Sequence, residues 1–150
     1  MKSRLQLTFL ILILLFSCEK NGMSKICEKD EMSKILDFQE FTIEVPADWE
    51  SYSLQGIDSK VGGIKNRKNK LGFDYGWYSD DFKNETSATH KRTLTIIDGK
   101  DALIVKPIEK GNGIIGVFIQ VDSQNKFSLA GRDIKNEDTA IKIFESVKFK

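Results

Sequence analysis

Residues 71–81 constrain the fold of this chain more than any other stretch, because aromatic rings, glycines and carboxylates alternate along it. In a β-strand, successive side chains point to opposite faces. A strand over residues 71–78 divides its side chains into two sets, Leu71, Phe73, Tyr75 and Trp77 on one face and Gly72, Asp74, Gly76 and Tyr78 on the other. The first face predicts a buried stripe, since each large side chain stabilises a core by about 1.5–3 kcal/mol when buried.

The second face of this strand has two interpretations. Asp74 stands between Gly72 and Gly76, and the glycines leave room for a ligand, a partner or another backbone to approach. In the alternative, Asp74 accepts hydrogen bonds from a neighbouring loop, and the glycines mark a bulge or a close contact within the chain. The sequence leaves both interpretations open.

The amino terminus has the pattern of a secretion signal. Lys2 and Arg4 precede an unbroken apolar run at residues 9–16, which is shorter than the roughly 20 residues of a membrane-spanning helix. Residues 15–18, Leu-Phe-Ser-Cys, resemble the lipobox of bacterial lipoproteins, in particular those of Bacteroidota. The resemblance implies cleavage of a signal peptide at residues 1–17 and acylation of Cys18, including palmitate, which anchors a protein firmly. An ordinary signal peptide with a coincidental cysteine is the alternative.

The remaining chain is predicted to contain a lipidated tether at residues 18–37 and one globular domain at residues 38–150. Residues 19–34 are charged and poor in large apolar side chains, as expected of a tether. Cys27 lies in this tether among charges of both signs, and we interpret it as incidental. The lipobox resemblance implies a membrane-anchored protein of the bacterial cell envelope, at the outer membrane.

Composition agrees with one globular domain and excludes two classes of protein. The chain has 150 residues, 40% hydrophobic and 30% charged, which suits a single apolar core. Two cysteines exclude a scaffold held by disulfides. The formal net charge of +1 becomes −1 when residues 1–17 are removed with Lys2 and Arg4, so no nucleic-acid partner is expected.

Hydrophobic patterning predicts about seven strands and one helix. Residues 41–45 alternate with period two, and Trp49 after them is predicted to close one end of the core. Asp98 and Gly99 suit a two-residue hairpin turn, and Asn136 suits the N-cap of a final helix. These elements predict an α+β fold in which an antiparallel sheet of about seven strands is packed by a C-terminal helix.

Two further resemblances concern the globular part. The spacing of Phe41, Ile43, Pro46 and Trp49, then a sheet and the terminal segment 143–149, resembles the PsbP and Mog1-like architecture. Residues 56–62 and 73–78 resemble segments of uncharacterised small lipoproteins of Bacteroidota. PsbP and Mog1-like proteins are chiefly binding and assembly factors, so the likeness implies a non-catalytic module, although a shared fold does not carry a function with it.

No stretch has the specificity of a catalytic signature. Nucleophile elbows, phosphate-binding loops and the usual zinc motifs are absent from the sequence, and one histidine cannot supply a zinc site of three imidazoles. His90 with Ser79 or Ser87 is a conceivable nucleophile pair that no local pattern supports. The acidic residues lack the spacing of a calcium-binding EF-hand, and a glycosidase pair would need carboxylates about 5–10 Å apart. We predict no cofactor, no metal ligand and no catalytic residue.

Three hypotheses follow. The first is an envelope protein that binds a protein or small ligand through loops 56–63 and 79–90, with candidate residues Asp58, Asp74, Tyr78, Asp80 and Asp81. The second is a small hydrolase or metal-dependent enzyme built on Asp58, Asp74, Asp80 and His90. The third is an accessory lipoprotein without a discrete site. In each case the lipid on Cys18 would contact the membrane, and we expect a monomer.

Overall fold

The computed structural model describes residues 31–150, which form ten strands and one helix. In chain order the elements are β1 (Met32–Asp37), β2 (Phe41–Pro46), β3 (Glu50–Ser53), β4 (Lys60–Lys65), β5 (Lys70–Gly76), β6 (His90–Ile97), β7 (Lys100–Pro107), β8 (Ile114–Gln120), β9 (Lys126–Arg132), α1 (Glu137–Glu145) and β10 (Lys148–Phe149). A large antiparallel sheet has the order β3-β4-β5-β9-β8-β7-β6, and a small one the order β1-β2-β10. The predicted seven-stranded antiparallel sheet and C-terminal helix are therefore confirmed. The small sheet was not predicted.

The small sheet and α1 pack against one face of the large sheet, here called the inner face. Phe41 of β2 is at the centre of this contact, with its ring centroid 5.1 Å from that of Phe73 and 4.8 Å from that of Phe127. Phe41, Ile43 and Val45 are fully buried, as the alternation of residues 41–45 predicts. Trp49 is 3% exposed, which confirms its place at one end of the core.

The domain begins earlier than predicted. The expected boundary lay between residues 37 and 38, whereas Met32–Asp37 forms β1 and pairs with β2 along its length. The sequence did not predict β1 because this strand carries only scattered apolar side chains, and Ile35 among them is 66% exposed. Its order comes from backbone pairing with β2, which no local pattern reveals. The predicted signal peptide, Cys18, Cys27 and most of the predicted tether lie outside the described residues.

The two ends of the large sheet carry different connections. The upper end is the one that holds Lys60, Gly76 and Lys126. Lys60 of β4 pairs with Tyr75 of β5, and Gly76 of β5 pairs with Lys126 of β9. The lower end holds the opposite ends of the same strands, including the turn at residues 66–69. Asn66 in that turn donates from Nδ2 to Asp48 Oδ2 at 3.2 Å, and Met32 pairs with Pro46 beside it. The chain therefore enters the domain near the lower end.

The outer face of the large sheet is crossed by the connection at residues 77–89. Because β5 leaves at the upper end and β6 starts at the lower end, this connection returns across the sheet. The loop predicted at residues 79–90 lies largely within this connection, but its Phe82 is 2% exposed. A β-carbon on Gly116 would lie 2.6 Å from Phe82 Cζ, so the missing side chain makes room for the ring.

α1 is capped and held by polar contacts. Asn136 Oδ1 accepts the backbone N–H of Thr139 at 3.3 Å, as its N-cap assignment predicts. Glu137 is fully buried; its Oε1 accepts the N–H of Gly111 at 2.7 Å, and its Oε2 lies 3.1 Å from Lys106 Nζ. These contacts fasten the β7–β8 connection to the first turn of the helix.

Candidate functional site

Trp77 lies at the surface, which corrects the prediction that it belongs to the core. Leu71 and Phe73 are buried and Tyr75 is partly buried, but Trp77 is 53% exposed. The alternation fails because β5 ends at Gly76. Ser79 then turns the chain: its Oγ is 2.9 Å from the Asp74 carbonyl oxygen and 3.1 Å from that of Lys126. The indole is left beside two depressions at the upper end.

The larger depression, here called the aromatic cleft, has a volume of about 710 Å³. Four segments that meet at the upper end form it: the β1–β2 turn, the β3–β4 connection, the end of β5 and the β8–β9 turn. Its lining comprises Gln39, Glu40, Ile57, Asp58, Ser59, Lys60, Tyr75, Gly76, Trp77, Gln124 and Asn125. Ile57 in this lining is 98% exposed.

The charges of the aromatic cleft are mostly paired within the protein. Lys60 Nζ donates to Glu40 and to the carbonyl oxygen of Phe38. Partial burial raises the pKa of Glu40, but the hydrogen bond and charge of Lys60 outweigh it and hold that pKa below its usual range. Burial, with the charges of Asp122 and Glu40, raises the pKa of Tyr75. The cleft therefore offers rings, neutral amides and hydroxyls, with Asp58 as an exposed carboxylate.

The smaller depression, here called the acidic hollow, has a volume of about 400 Å³ and adjoins the cleft at Trp77. Tyr78, Asp80 and Asp81 line it together with Trp77, Ser79 and Lys126. Asp81 Oδ2 is 2.8 Å from Lys83 Nζ, and that hydrogen bond lowers the pKa of Asp81. Asp80 Oδ1 accepts the backbone N–H of Phe82 at 2.9 Å. Lys126 Nζ lies 5.5 Å from the centroid of the Trp77 ring, a cation–π contact.

Asp74 lines neither depression. Its Oδ1 is 3.2 Å from Ser79 Oγ, within the same turn that ends β5. A β-carbon at Gly76 would lie 2.6 Å from the Cβ of Ser59, so this glycine makes room for the β3–β4 connection. Next to Gly72, the Tyr52 hydroxyl donates to the carbonyl oxygen of Leu71 at 3.3 Å. The chain's own residues therefore fill the space at Gly76 and engage Asp74, as in the second interpretation, whereas Gly72 is exposed.

His90 is remote from the acidic candidates. It begins β6 at the lower end and at one edge of the large sheet, whereas Asp58 lies at the upper end beside β4. Four strand spacings separate β6 from β5, or about 19 Å along the sheet to the strand of Asp74. His90 Nδ1 instead lies 2.8 Å from Thr89 Oγ1. The hydrolase hypothesis needs these groups on one substrate, and the structure does not bring them together.

Some residues of the two depressions were predicted from the sequence and others were not. Asp58 and the loop around it were predicted, and Tyr78, Asp80 and Asp81 do gather in one place. Trp77 was assigned to the core, and the contributions of Gln39, Glu40, Gln124 and Asn125 had no signal because they come from distant turns. The signal that could have identified Trp77 is the run Ser79-Asp80-Asp81 shortly after it, since a cluster of Ser and Asp residues following a glycine often marks a turn.

Neither a metal site nor a membrane-crossing helix occurs in the described part of the chain. Residues 31–150 hold no group of three or more His, Cys, Asp or Glu side chains that could share a metal ion. Their helical segment is too short and too polar to cross a membrane. The chain matches no protein-family model and no curated protein sequence.

Proposed function

We propose that this protein is a lipid-anchored, non-catalytic binding module of the bacterial cell envelope, and that the aromatic cleft holds a protein segment or small ligand. The observation that carries the proposal is the exposed indole of Trp77 between the aromatic cleft and the acidic hollow. Removing an indole from water is favourable and orders few torsions, and so tryptophans are frequent among residues that dominate binding.

The chemistry of the cleft suits a polar ligand with a flat or apolar face. Tyr75, Trp77 and Ile57 supply apolar area, and Gln124 and Asn125 supply donors and acceptors beside it. Asp58 adds a carboxylate that can accept hydrogen bonds from a ligand. Most of the lining is polar, so Ile57, Tyr75 and Trp77 form an apolar platform for one face of the ligand, and the surrounding polar groups bond its edges.

The position of the cleft supports an anchored orientation. The chain reaches β1 near the lower end, while the cleft is at the upper end. The upper and lower ends of the large sheet are about 23 Å apart, the length of a seven-residue strand such as β5. Lipid on Cys18 would therefore attach the domain from its lower end and leave the cleft away from the attachment point. The separation of His90 from Asp58 supports a non-catalytic role.

We also propose that the fold belongs with the PsbP and Mog1-like architecture. An antiparallel sheet covered on one face by a C-terminal helix and an N-terminal strand pair supports this assignment. Binding and assembly factors are common among proteins of that architecture. The aromatic cleft, and not the fold, is the reason to propose binding for this chain.

A photo-reactive phenylalanine analogue placed in the full-length protein tests the cleft in intact cells. At Ile57, which is 98% exposed in the cleft, we expect a discrete cross-linked partner or ligand adduct. Ile35, 66% exposed on β1 and outside the cleft, is the matched control. The adduct at position 57 should be lost with Trp77→Ala. The proposal fails if position 57 gives no adduct, or the same adducts as position 35.

The anchor is tested in the same cells by Cys18→Ala. Without acylation the mature protein should leave the membrane fraction, while Cys27→Ala should change nothing. A Cys18→Ala protein that matures and still partitions with membranes would remove the anchor from the proposal and leave the cleft untouched. The two parts of the proposal can therefore fail separately.

A further inference from the structure

The outermost strand of the large sheet, β6, has an open edge. Within residues 31–150 it pairs only with β7, through all eight of its residues. Asp98 and Gly99, with φ values of 50° and 73°, form the two-residue turn, so Ile97 and Lys100 flank it as a hydrogen-bonded pair. Alternate residues then bond to β7. The N–H and C=O groups of Arg92, Leu94 and Ile96 point away from the sheet.

This edge is apolar and exposed. Leu94 is 84% exposed and Ile96 is 62% exposed, both on the outer face. Leu94 pairs with Leu103 of β7, which pairs with Phe118 of β8, and both partners are only partly buried. Edge strands are normally blunted by central charges, prolines or bulges, and β6 has its two basic residues at one end only. The exposed edge of β6 is therefore open to pairing with another strand.

We propose that β6 pairs antiparallel with β6 of a second copy of this chain, across a two-fold axis at Thr95. In this register Leu94 lies opposite Ile96 of the other copy, as a hydrogen-bonded pair formed twice. Arg92 lies opposite Asp98, so the register matches apolar with apolar and brings the basic end of each β6 to the turn that holds Asp98 of the other copy. Because antiparallel pairs share a face, the two outer faces become one surface.

Neighbouring registers are less complementary. A shift by one residue places outer-face side chains opposite inner-face ones. A shift by two in one direction sets Arg92 opposite Lys100 and Leu94 opposite Asp98, and in the other direction it sets Arg92 opposite Ile96. Each of these registers keeps one apolar pair, Ile96 with Ile96 or Leu94 with Leu94, where the proposed register has two. Both charged side chains already have partners within their own chain. Arg92 Nη1 donates to the Phe82 carbonyl oxygen at 2.6 Å on the outer side, and Asp98 Oδ2 accepts the Phe149 N–H at 2.9 Å on the inner side, so the apolar pairs define the register.

The register predicts which cysteine substitution links two copies. Two copies of residue 95 would be a non-hydrogen-bonded pair with Cα atoms about 4.5 Å apart, within disulfide range. Two copies of residue 93 would be offset by four residues, about 13 Å. In full-length protein carrying Cys27→Ser, mild oxidation of intact cells should give a linked dimer for Thr95→Cys. Thr93→Cys, on the same strand and face, and the background without either substitution should give none.

Sedimentation of the detergent-solubilised full-length protein provides an independent measurement. Leu94→Lys should convert dimer to monomer, because it brings charge to a pair that was apolar, while Leu54→Lys at another exposed leucine should leave the dimer intact. The proposal is overturned by a monomeric parent protein, by equal linking at positions 93 and 95, or by linkage of position 95 only to a different protein. A dimer would also replace the expectation of a monomer.

Discussion

At the scale of single residues, the turn that presents Trp77 depends on the hydroxyl of Ser79. This side chain is 5% exposed, and its Oγ lies within 3.3 Å of the carbonyl oxygens of Asp74, Gly76 and Lys126. A hydroxyl has one proton to donate, so Ser79 can bond only one of these three carbonyl oxygens at a time. The other two carbonyl oxygens remain next to a polar group. Its position ends β5 and turns Trp77 outward.

Ser79→Ala should therefore lower the free energy of unfolding by about 1–3 kcal/mol, because buried carbonyl oxygens lose their donor. Ser87→Ala, at an exposed position of the same connection, is the control and should change it by less than about 0.5 kcal/mol. Urea unfolding of the two variants measures the difference. Equal midpoints would show that the turn is held by something other than the Ser79 hydroxyl.

Which residues are buried could be predicted where alternation runs uninterrupted, and could not where a strand stops. Phe41, Ile43 and Val45 follow the rule because β2 continues through all three. Trp77 departs from it because Gly76 is the last residue of β5. The end of β5 is set by contacts of Ser79 and Ser59, which come from a turn and from a separate connection, so periodicity carries no trace of them.

At the scale of elements, the connection at residues 77–89 acts as a strap over the outer face. Phe82 adopts a φ of 55°, a left-handed conformation that costs an L-residue roughly 1–2 kcal/mol. Burial of its ring over Gly116 offsets that cost, and Arg92 Nη1 holds the strap through the Phe82 and Glu85 carbonyl oxygens at 2.6 Å each. One buried aromatic ring and the hydrogen bonds of Arg92 therefore fix a long polar connection together.

Phe82→Ala should lower the free energy of unfolding by about 3–5 kcal/mol, the usual cost of deleting a buried aromatic ring. Tyr78→Ala in the same connection removes a ring that is 76% exposed and should cost less than about 0.5 kcal/mol. Chemical denaturation compares the two, and hydrogen exchange across residues 77–89 should rise only for Phe82→Ala. A similar loss for both variants would contradict the strap.

Elements formed by neighbouring residues were predictable, and those formed across the chain were not. The β6–β7 hairpin and α1 have local signals, the Asp98-Gly99 turn and the Asn136 cap, and both occur as predicted. β1 and the strap have none, because a distant backbone specifies the first and Gly116 the second. The candidate site shares this limit: the loop of Asp58 was predicted, but the turns that face it across the cleft were not.

At the scale of the whole molecule, the last residue of the chain is tied to the first hairpin. Lys150 donates its backbone N–H to the Glu40 carbonyl at 3.0 Å, and its Nζ lies 2.7 and 2.8 Å from the two oxygens of Asp37. The small sheet is therefore closed by contacts between residues 113 positions apart, in addition to the pairing of β2 with β10. These contacts hold β1, where the chain enters, against the remainder of the domain.

The ion pair between Asp37 and Lys150 predicts that the stability of the folded protein decreases as the pH falls. The hydrogen bond from Lys150, then that from the Gln39 N–H, lowers the pKa of Asp37 in the folded protein. A lowered folded pKa means that the stabilisation is fully present above the unfolded value near 3.9 and is lost as pH falls through the folded value.

Asp37→Asn should therefore lower the thermal midpoint slightly at pH 7, and the difference from the parent protein should shrink toward pH 3. Lys150→Ala should behave alike, and the double variant should lose no more than either single one. A deficit for Asp37→Asn that stays constant between pH 7 and pH 3 would show that the Asp37 charge does not act through this pair.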